Sequence, residues 1–462
     1  MSLAAPARVS EQGSAVYVAI AALVAATSGL LFGFDIAVIN GAIIFLRQQF
    51  QMSEVQTELA ASSLLIGCIF GASTGGWLSD RFGRKRILMV TAVMFAVSAV
   101  WAALPHSITE FMMARFAGGL AIGVASVLAP LYIAEVAPAR NRGLLVSLNQ
   151  MAIVTGILLA YLINWGLALT GPNGWRWMFA SAAVPSTIFF IALFFVPESP
   201  RWLTEAGRET EALGILTRVN GATAGREVLN DIKTAIAEES GTIAELFRPG
   251  MRRVLGLAIA LAVLQQITGI NTVLFYGSVI FKEQVRGQSD SAAIGANVVI
   301  GLMNFAMTIV ALWLIDRLGR RPLLMVSAGV MALCQFALGA AFLIQPPPVY
   351  LVLGIMLCCA GSFAVGLGPG TWVVLPEIFP NRVRGRAMSI ATVALWVACF
   401  ALTMTFLTLV KWLSPSGAFW VYGAMCVIET ILVWRMLPET KGRTLEEIER
   451  ELLHAESVSK RM

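Results

Sequence analysis

Apolar residues along this chain gather into runs long enough to cross a bilayer, and polar residues fill the short gaps between them. A spanning helix needs about 20 mostly apolar residues, and twelve such runs can be drawn. Six are Val16–Leu46, Leu59–Leu78, Ile87–Leu104, Phe111–Ala134, Leu144–Leu169 and Trp177–Val196. Six more are Val254–Phe281, Ala292–Ile315, Leu323–Ile344, Val349–Leu375, Ala387–Val410 and Ala418–Met436. Several exceed the minimum, as tilted helices do. The pattern predicts an all-α polytopic membrane protein. One long polar stretch separates six runs from six, and within it Glu209–Val219 and Val228–Ala237 are amphipathic. That predicts short helices rather than a loose linker. The expected division is 1–198, 199–253, 254–437 and a tail, 438–462.

The polar gaps repeat. Asp80-Arg81-x-Gly83-Arg84-Lys85 after the second run returns as Asp316-Arg317-x-Gly319-Arg320-Arg321 after the eighth, an offset of 316 − 80 = 236 residues. Glu135-x-x-Pro138-x-Arg140-x-Arg142-Gly143 returns as Glu377-x-x-Pro380-x-Arg382-x-Arg384-Gly385, and Pro197-Glu198 as Pro438-Glu439. Three motifs in one order at nearly one spacing make the chain a tandem duplication.

Composition agrees with the runs. The 462 residues are 58% hydrophobic and 13% charged, with a mean hydropathy of +0.77, whereas soluble proteins are about 25% charged. The excess of 33 Lys+Arg over 27 Asp+Glu sits in short loops between runs, which argues topology rather than nucleic-acid binding. Those basic loops follow the second, fourth, eighth and tenth runs, and loops such as Gln345–Pro348 are bare of charge. Both termini are therefore expected in the cytoplasm. All six cysteines fall inside apolar runs, so neither a disulfide frame nor a metal site is expected. No signal peptide is evident. The absence of any Asn-x-Ser/Thr sequon points toward a bacterial membrane.

Four features carry chemistry. An ionisable residue inside a spanning helix is costly and signals function. Asp35 is the one charge in the first run and Arg115 the one charge in the fourth, and a pair between them is expected to carry a proton or to fix packing. Glu429, with Arg435 six residues on, reads as structural. Neutral amides form the second feature: Gln150, Gln265-Gln266-x-x-Gly269-x-Asn271 and Asn304. Amides donate and accept, which suits a hydroxyl-rich ligand, although membrane helices also use them to bond one another. On a regular helix residues 266 and 270 share one face, and 265, 268 and 272 another. Third, four glycines and a proline in Gly361-Ser-Phe363-x-x-Gly366-x-Gly368-Pro369-Gly370-x-Trp372 cannot sustain a regular helix, and broken backbone at membrane depth marks transporter cavities. Fourth, acids and arginines meet at the inner helix ends: Asp80, Arg81, Arg84, Glu135, Arg142 and Glu198, then Asp316, Arg317, Arg320, Glu377, Arg384 and Glu439. Such pairs can hold two halves together in one state and release them in another.

These residues resemble the sugar porters of the major facilitator superfamily along almost the whole chain. The resemblance rests on the duplicated Asp-Arg loop, Arg115-x-x-x-Gly119-x-x-x-Gly123, Pro130-x-Tyr132-x-x-Glu135-x-x-Pro138, Pro197-Glu198-Ser199-Pro200-Arg201, Gln265-Gln266-x-x-Gly269-x-Asn271 and Pro438-Glu439-Thr440-Lys441-Gly442. It implies two six-helix bundles around a cavity, alternating access, and a small cytoplasmic helical domain between the bundles. It further implies sugar hydrogen bonds from Gln150, Gln265, Gln266, Asn271 and Asn304, with Phe363 and Trp372 near the ring and Phe32, Gly368 and Trp396 completing the lining. Asp35 falls where proton–sugar symporters of the family carry their coupling aspartate, with Arg115 as partner. Three departures make the cavity less polar: Leu395 before Trp396, Cys399, and Phe275 where some relatives have a phenol.

The expected activity is proton-coupled import of a neutral monosaccharide, with sugar, proton and lipid as the only partners, no cofactor, no nucleic acid and a functional monomer. An uncoupled facilitator is the nearest alternative. A non-transporting sensor, a metabolite exporter and a membrane enzyme are less favoured: the tail is short, and His106 and His454 lie outside the runs.

Overall fold

The structure, a computed structural model, describes residues 14–138, 142–238, 243–248, 250–284, 289–380 and 383–441. The expectations for Arg140, Arg382 and the tail from 442 onward fall outside these residues, as do the side chains of Arg142 and Asp316.

The first half contains α1 (Ala15–Gln49), α2 (Glu54–Phe82), α3 (Arg84–Ala103), α4 (Ile108–Val136), α5 (Arg142–Ala168) and α6 (Gly174–Ala180) continued by α7 (Ala183–Leu193). Four short helices follow: α8 (Pro200–Glu205), α9 (Glu209–Asn220), α10 (Ala222–Glu238) and α11 (Ile243–Leu246). The second half contains α12 (Met251–Ile267) with α13 (Ile270–Val279), α14 (Asp290–Leu318), α15 (Arg320–Ala341), α16 (Val349–Val365) with α17 (Leu367–Glu377), and α18 (Arg384–Met436).

Among the described residues eleven helices are long and apolar enough to cross a membrane. The 53 residues of α18 would reach roughly 80 Å at about 1.5 Å each, far more than one bilayer core. The chain turns at Ser414, whose φ of 64° and ψ of 165° are not helical, just before Pro415. That makes α18 two spans, and 11 + 1 = 12. The amphipathic stretches of the linker form α9 and α10, which close a small core of Trp202, Leu203, Ala212, Leu216 and Leu229.

Lipid tails are as apolar as leucine, so helices in a bilayer associate through close packing of small residues rather than by escaping water. In the first half α2 and α4 cross at Gly67 and Gly71 against Gly119 and Gly123. A methyl placed on Gly119 would lie 1.8 Å from the Leu64 carbonyl oxygen.

Several hydrogen bonds join the two halves toward the end opposite the basic loops. Asn40 of α1 donates to the Val273 and Leu274 carbonyls at 3.0 and 2.9 Å and accepts from the Ser278 amide at 3.0 Å. Glu58 of α2, 1% exposed, accepts from the amide and hydroxyl of Thr408 at 2.8 and 2.9 Å. Lys411 meets Glu54 at 3.2 Å at the rim.

Replacing Gly119 by Val should abolish monodisperse protein on size-exclusion chromatography, because a clash with backbone exceeds the ~1–3 kcal/mol of ordinary overpacking. Gly354→Ala, where nothing lies within 4 Å, should elute unchanged.

Candidate functional site

Of the ionisable groups inside the helices, Asp35 and Arg115 meet. Arg115 Nη1 bonds the Asp35 carboxylate, and its Nη2 donates to the Asp35 carbonyl at 2.8 Å. The arginine is 2% exposed, the aspartate side chain 13%. The guanidinium stands 5.3 Å from the centroid of Phe179, and its Nε has no partner. The carboxylate lies over Gly118, where a Cβ would come within 2.9 Å of Oδ2. A buried pair is costly to assemble and more costly to break by removing one member.

The amide motif is organised by a break. Gly269, at φ 89° in the left-handed region, separates α12 from α13. On a regular helix residues five apart would lie about 140° from one another. The break instead brings Asn271 beside Gln266, Nδ2 to Oε1 at 2.7 Å. This corrects the reading of continuous stripes along a single helix. Gln266 in turn donates to Gln265 Oε1 at 3.0 Å, and Gln265 donates to the carbonyls of Leu367 and Gly368 at 2.9 and 3.3 Å. Those carbonyls flank a second break, at Gly366, whose φ of −125° and ψ of −70° part α16 from α17. Two interrupted helices are thus joined by a chain of amides. Gln265 is 1% exposed and Gln266 is half-buried.

The remaining expected lining is distributed as follows. Phe363 packs against Gly368, and a Cβ there would approach its ring to 3.2 Å. Trp396 of α18 meets Phe32 of α1 across the halves, ring centroids 5.5 Å apart, and its buried indole N–H has no partner. Gln150 and Trp372 are half-buried, and Asn304 is 7% exposed.

At the basic end the two repeats build matching clusters. Arg84 makes a two-pronged pair with Glu135, Nε and Nη2 each at 3.1 Å, and reaches Asp80 at 3.1 Å. Ser199 donates to Glu135 at 2.5 Å. Glu198 accepts from the Lys85 amide at 2.9 Å and so caps the start of α3. In the second copy Arg320 meets Glu377 at 3.2 Å, Thr440 donates to Glu377 at 2.6 Å, and Glu439 accepts from the Arg320 and Arg321 amides at 3.0 and 3.1 Å. Each of these bonds stays within its own half. Three expected gate arginines do other work: Arg81 lies over Trp77 and Phe82, Arg317 over Trp313, and Arg384 donates to the Phe379 carbonyl.

Glu429 does not meet Arg435. It is fully buried with neither carboxylate oxygen bonded, while Arg435 lies over Trp434. Six residues turn a helix about 240° past whole turns, so the arginine faces elsewhere. Glu58 was missed because the second run was drawn from Leu59; a boundary one residue earlier would have marked it as an intramembrane acid. Asn40 carries no local signal, since its partners are more than 230 positions away.

The model for the family of sugar (and other) transporters matches residues 21–452. An arabinose–proton symporter of Bacillus subtilis is 39% identical over 441 residues, covering 94% of this chain and 95% of that protein. A D-xylose–proton symporter of Escherichia coli is 39% identical over 465 residues, covering 92% and 94%. The xylose transporter XylE of E. coli in a partially occluded inward-open conformation superposes with a TM-score of 0.84 at 36% identity, over 93% of this chain and all of that one. With twelve spans in two halves, the chain belongs to the sugar transporter family, within the major facilitator fold.

Proposed function

We propose that this protein imports a neutral monosaccharide, hexose or pentose, together with a proton, by alternating access. The observation that carries the reading is the Asp35–Arg115 pair, an acid and a base bonded to each other in the apolar interior of α1 and α4. A carboxylate there can take a proton, and doing so removes the charge that holds Arg115. The same proton that relaxes the pair then travels with the conformational change. The pentose–proton symporters among the relatives support a cargo of this class.

Sugar binds where the broken helices present amides and carbonyls: Gln265, Gln266, Asn271 and the Gly368 carbonyl, with Gln150 and Asn304 from α5 and α14. The amides bond one another, so a sugar hydroxyl exchanges a bond rather than creating one. Net affinity then stays modest, as a carrier needs for release. Phe32, Phe363, Trp372 and Trp396 supply apolar surface for the ring. The basic end is cytoplasmic, residues 199–253 form the domain between the bundles, and the protein works as a monomer in the cell membrane, a transporter and not an enzyme.

Asp35→Asn should abolish uphill uptake in proteoliposomes while sugar exchange down a gradient persists. A protonophore should reduce the unsubstituted protein to the same behaviour. Accumulation that survives either treatment would assign the protein to facilitated diffusion and Asp35 to packing.

The clusters at the basic end act on the cycle and not on the cargo. Removing one member of a buried pair costs about 3–5 kcal/mol, enough to shift a balanced two-state equilibrium more than tenfold. Arg84→Ala should therefore change the maximal transport rate by an order of magnitude and leave the ranking of competing sugars unchanged. A changed ranking in a competition assay would refute the gate assignment.

A further inference from the structure

We propose that Gln335, on α15, is a positioning residue for the sugar site, acting through the break in the seventh span; the proposal rests on the sugar-transport reading above. In an unbroken helix the Thr272 amide would bond the Thr268 carbonyl four residues back. Here Gly269 turns left-handed, and the Thr272 amide bonds the Gly269 carbonyl instead, at 3.1 Å. The Thr268 carbonyl is left without its helical donor inside a residue that is 0% exposed. Gln335, itself 1% exposed, donates Nε2 to that carbonyl at 2.6 Å. The Cys426 thiol approaches the same oxygen at 3.6 Å.

Three other carbonyls around the break are met by side chains of the same segment: Thr268 Oγ1 donates to Gln265, Asn271 Nδ2 to Gln266, and Thr272 Oγ1 to Gly269. The Thr268 carbonyl, at the break itself, is tied to another span by a side-chain amide. Gln335 also packs on the glycine: a Cβ on Gly269 would lie 2.6 Å from its Nε2 and 2.8 Å from the Tyr422 ring. Gly269 thus gives the break its shape, and Gln335 fixes that shape to α15. The shape is what sets Asn271 beside Gln266. Gln335 orders the amide chain without touching the sugar.

The test is the concentration dependence of sugar uptake in proteoliposomes. Gln335→Met keeps the volume and removes the donor. It should raise KM about tenfold, the worth of one ordinary hydrogen bond, with the maximal rate and the proton dependence unchanged. Combined with Gln266→Ala it should add little, because both changes act on one amide chain. An unmoved KM, or effects that simply multiply, would overturn the assignment. If Gln335→Met does not assemble, Cys426→Ala removes the weaker donor to the same carbonyl and should raise KM about twofold; an unmoved KM there overturns the assignment equally. Lack of any sugar uptake by the unsubstituted protein would overturn the transport reading, and this one with it. Normal uptake with an unmoved KM in the variant overturns this one alone.

Discussion

A carbonyl released from its helix in the middle of an apolar bundle has no water to bond, so the protein must supply the donor. That constraint fixes where this chain can keep its polar chemistry. Helices that stay regular satisfy their own backbone and present only side chains. Helices that break expose carbonyls and demand amides. Both breaks at membrane depth in the second half, at Gly269 and Gly366, are answered by glutamine: Gln335 bonds Thr268, and Gln265 bonds Leu367 and Gly368. The amides of Gln266 and Asn271 lie beside them and bond each other.

The first half solves a different problem. Its helices are unbroken through α5, and its polar feature is a charge pair rather than a run of amides. An isolated carboxylate in such a place would be prohibitively desolvated. Arg115 offsets that cost, and Gly118 leaves room for the acid. Because the pair is expensive when half-removed, the protonation state of one carboxylate can bear on the packing of α1 against α4. The charge pair lies in the first half and the amide chain in the second, and alternating access requires the halves to move together.

How much of this was legible in the sequence depended on the range of the interaction. Twelve spans, the amphipathic α9 and α10 and the glycine break at Gly366 follow from local composition, and they appear in the structure near their drawn bounds. The duplicated loops show which acids and arginines belong to one cluster, because equal motifs fold into equal environments. Glu198 and Glu439 each cap the helix that follows a glycine at positive φ, Gly83 or Gly319. The repeat did not reveal that Arg81 and Arg317 turn to tryptophans instead of acids, since an exposed arginine beside an aromatic ring has two comparable partners. Regular-helix geometry also misjudged Asn271: a stripe drawn through Gly269 assumes the continuity that the glycine removes.

The contacts least legible in the sequence are those between the halves, and they define the conformation. Asn40 has four partners in the second half, among them the Asn297 side chain at 3.4 Å and a further bond between its own carbonyl and the Ser278 hydroxyl. Glu58 has two on Thr408. All lie toward the end away from the basic loops, while the Arg84–Glu135 and Arg320–Glu377 pairs at the basic end each lie within one half. A two-state rocking motion needs the reverse balance in its other state. The bonds at the Asn40 and Glu58 end must be lost, and contacts at the basic end must then form across the interface. Loss of the Thr408 bonds would strip the Glu58 carboxylate of the partners it has here, and a buried polar group without a bond is costly. Water or another donor would have to replace Thr408 to meet that cost.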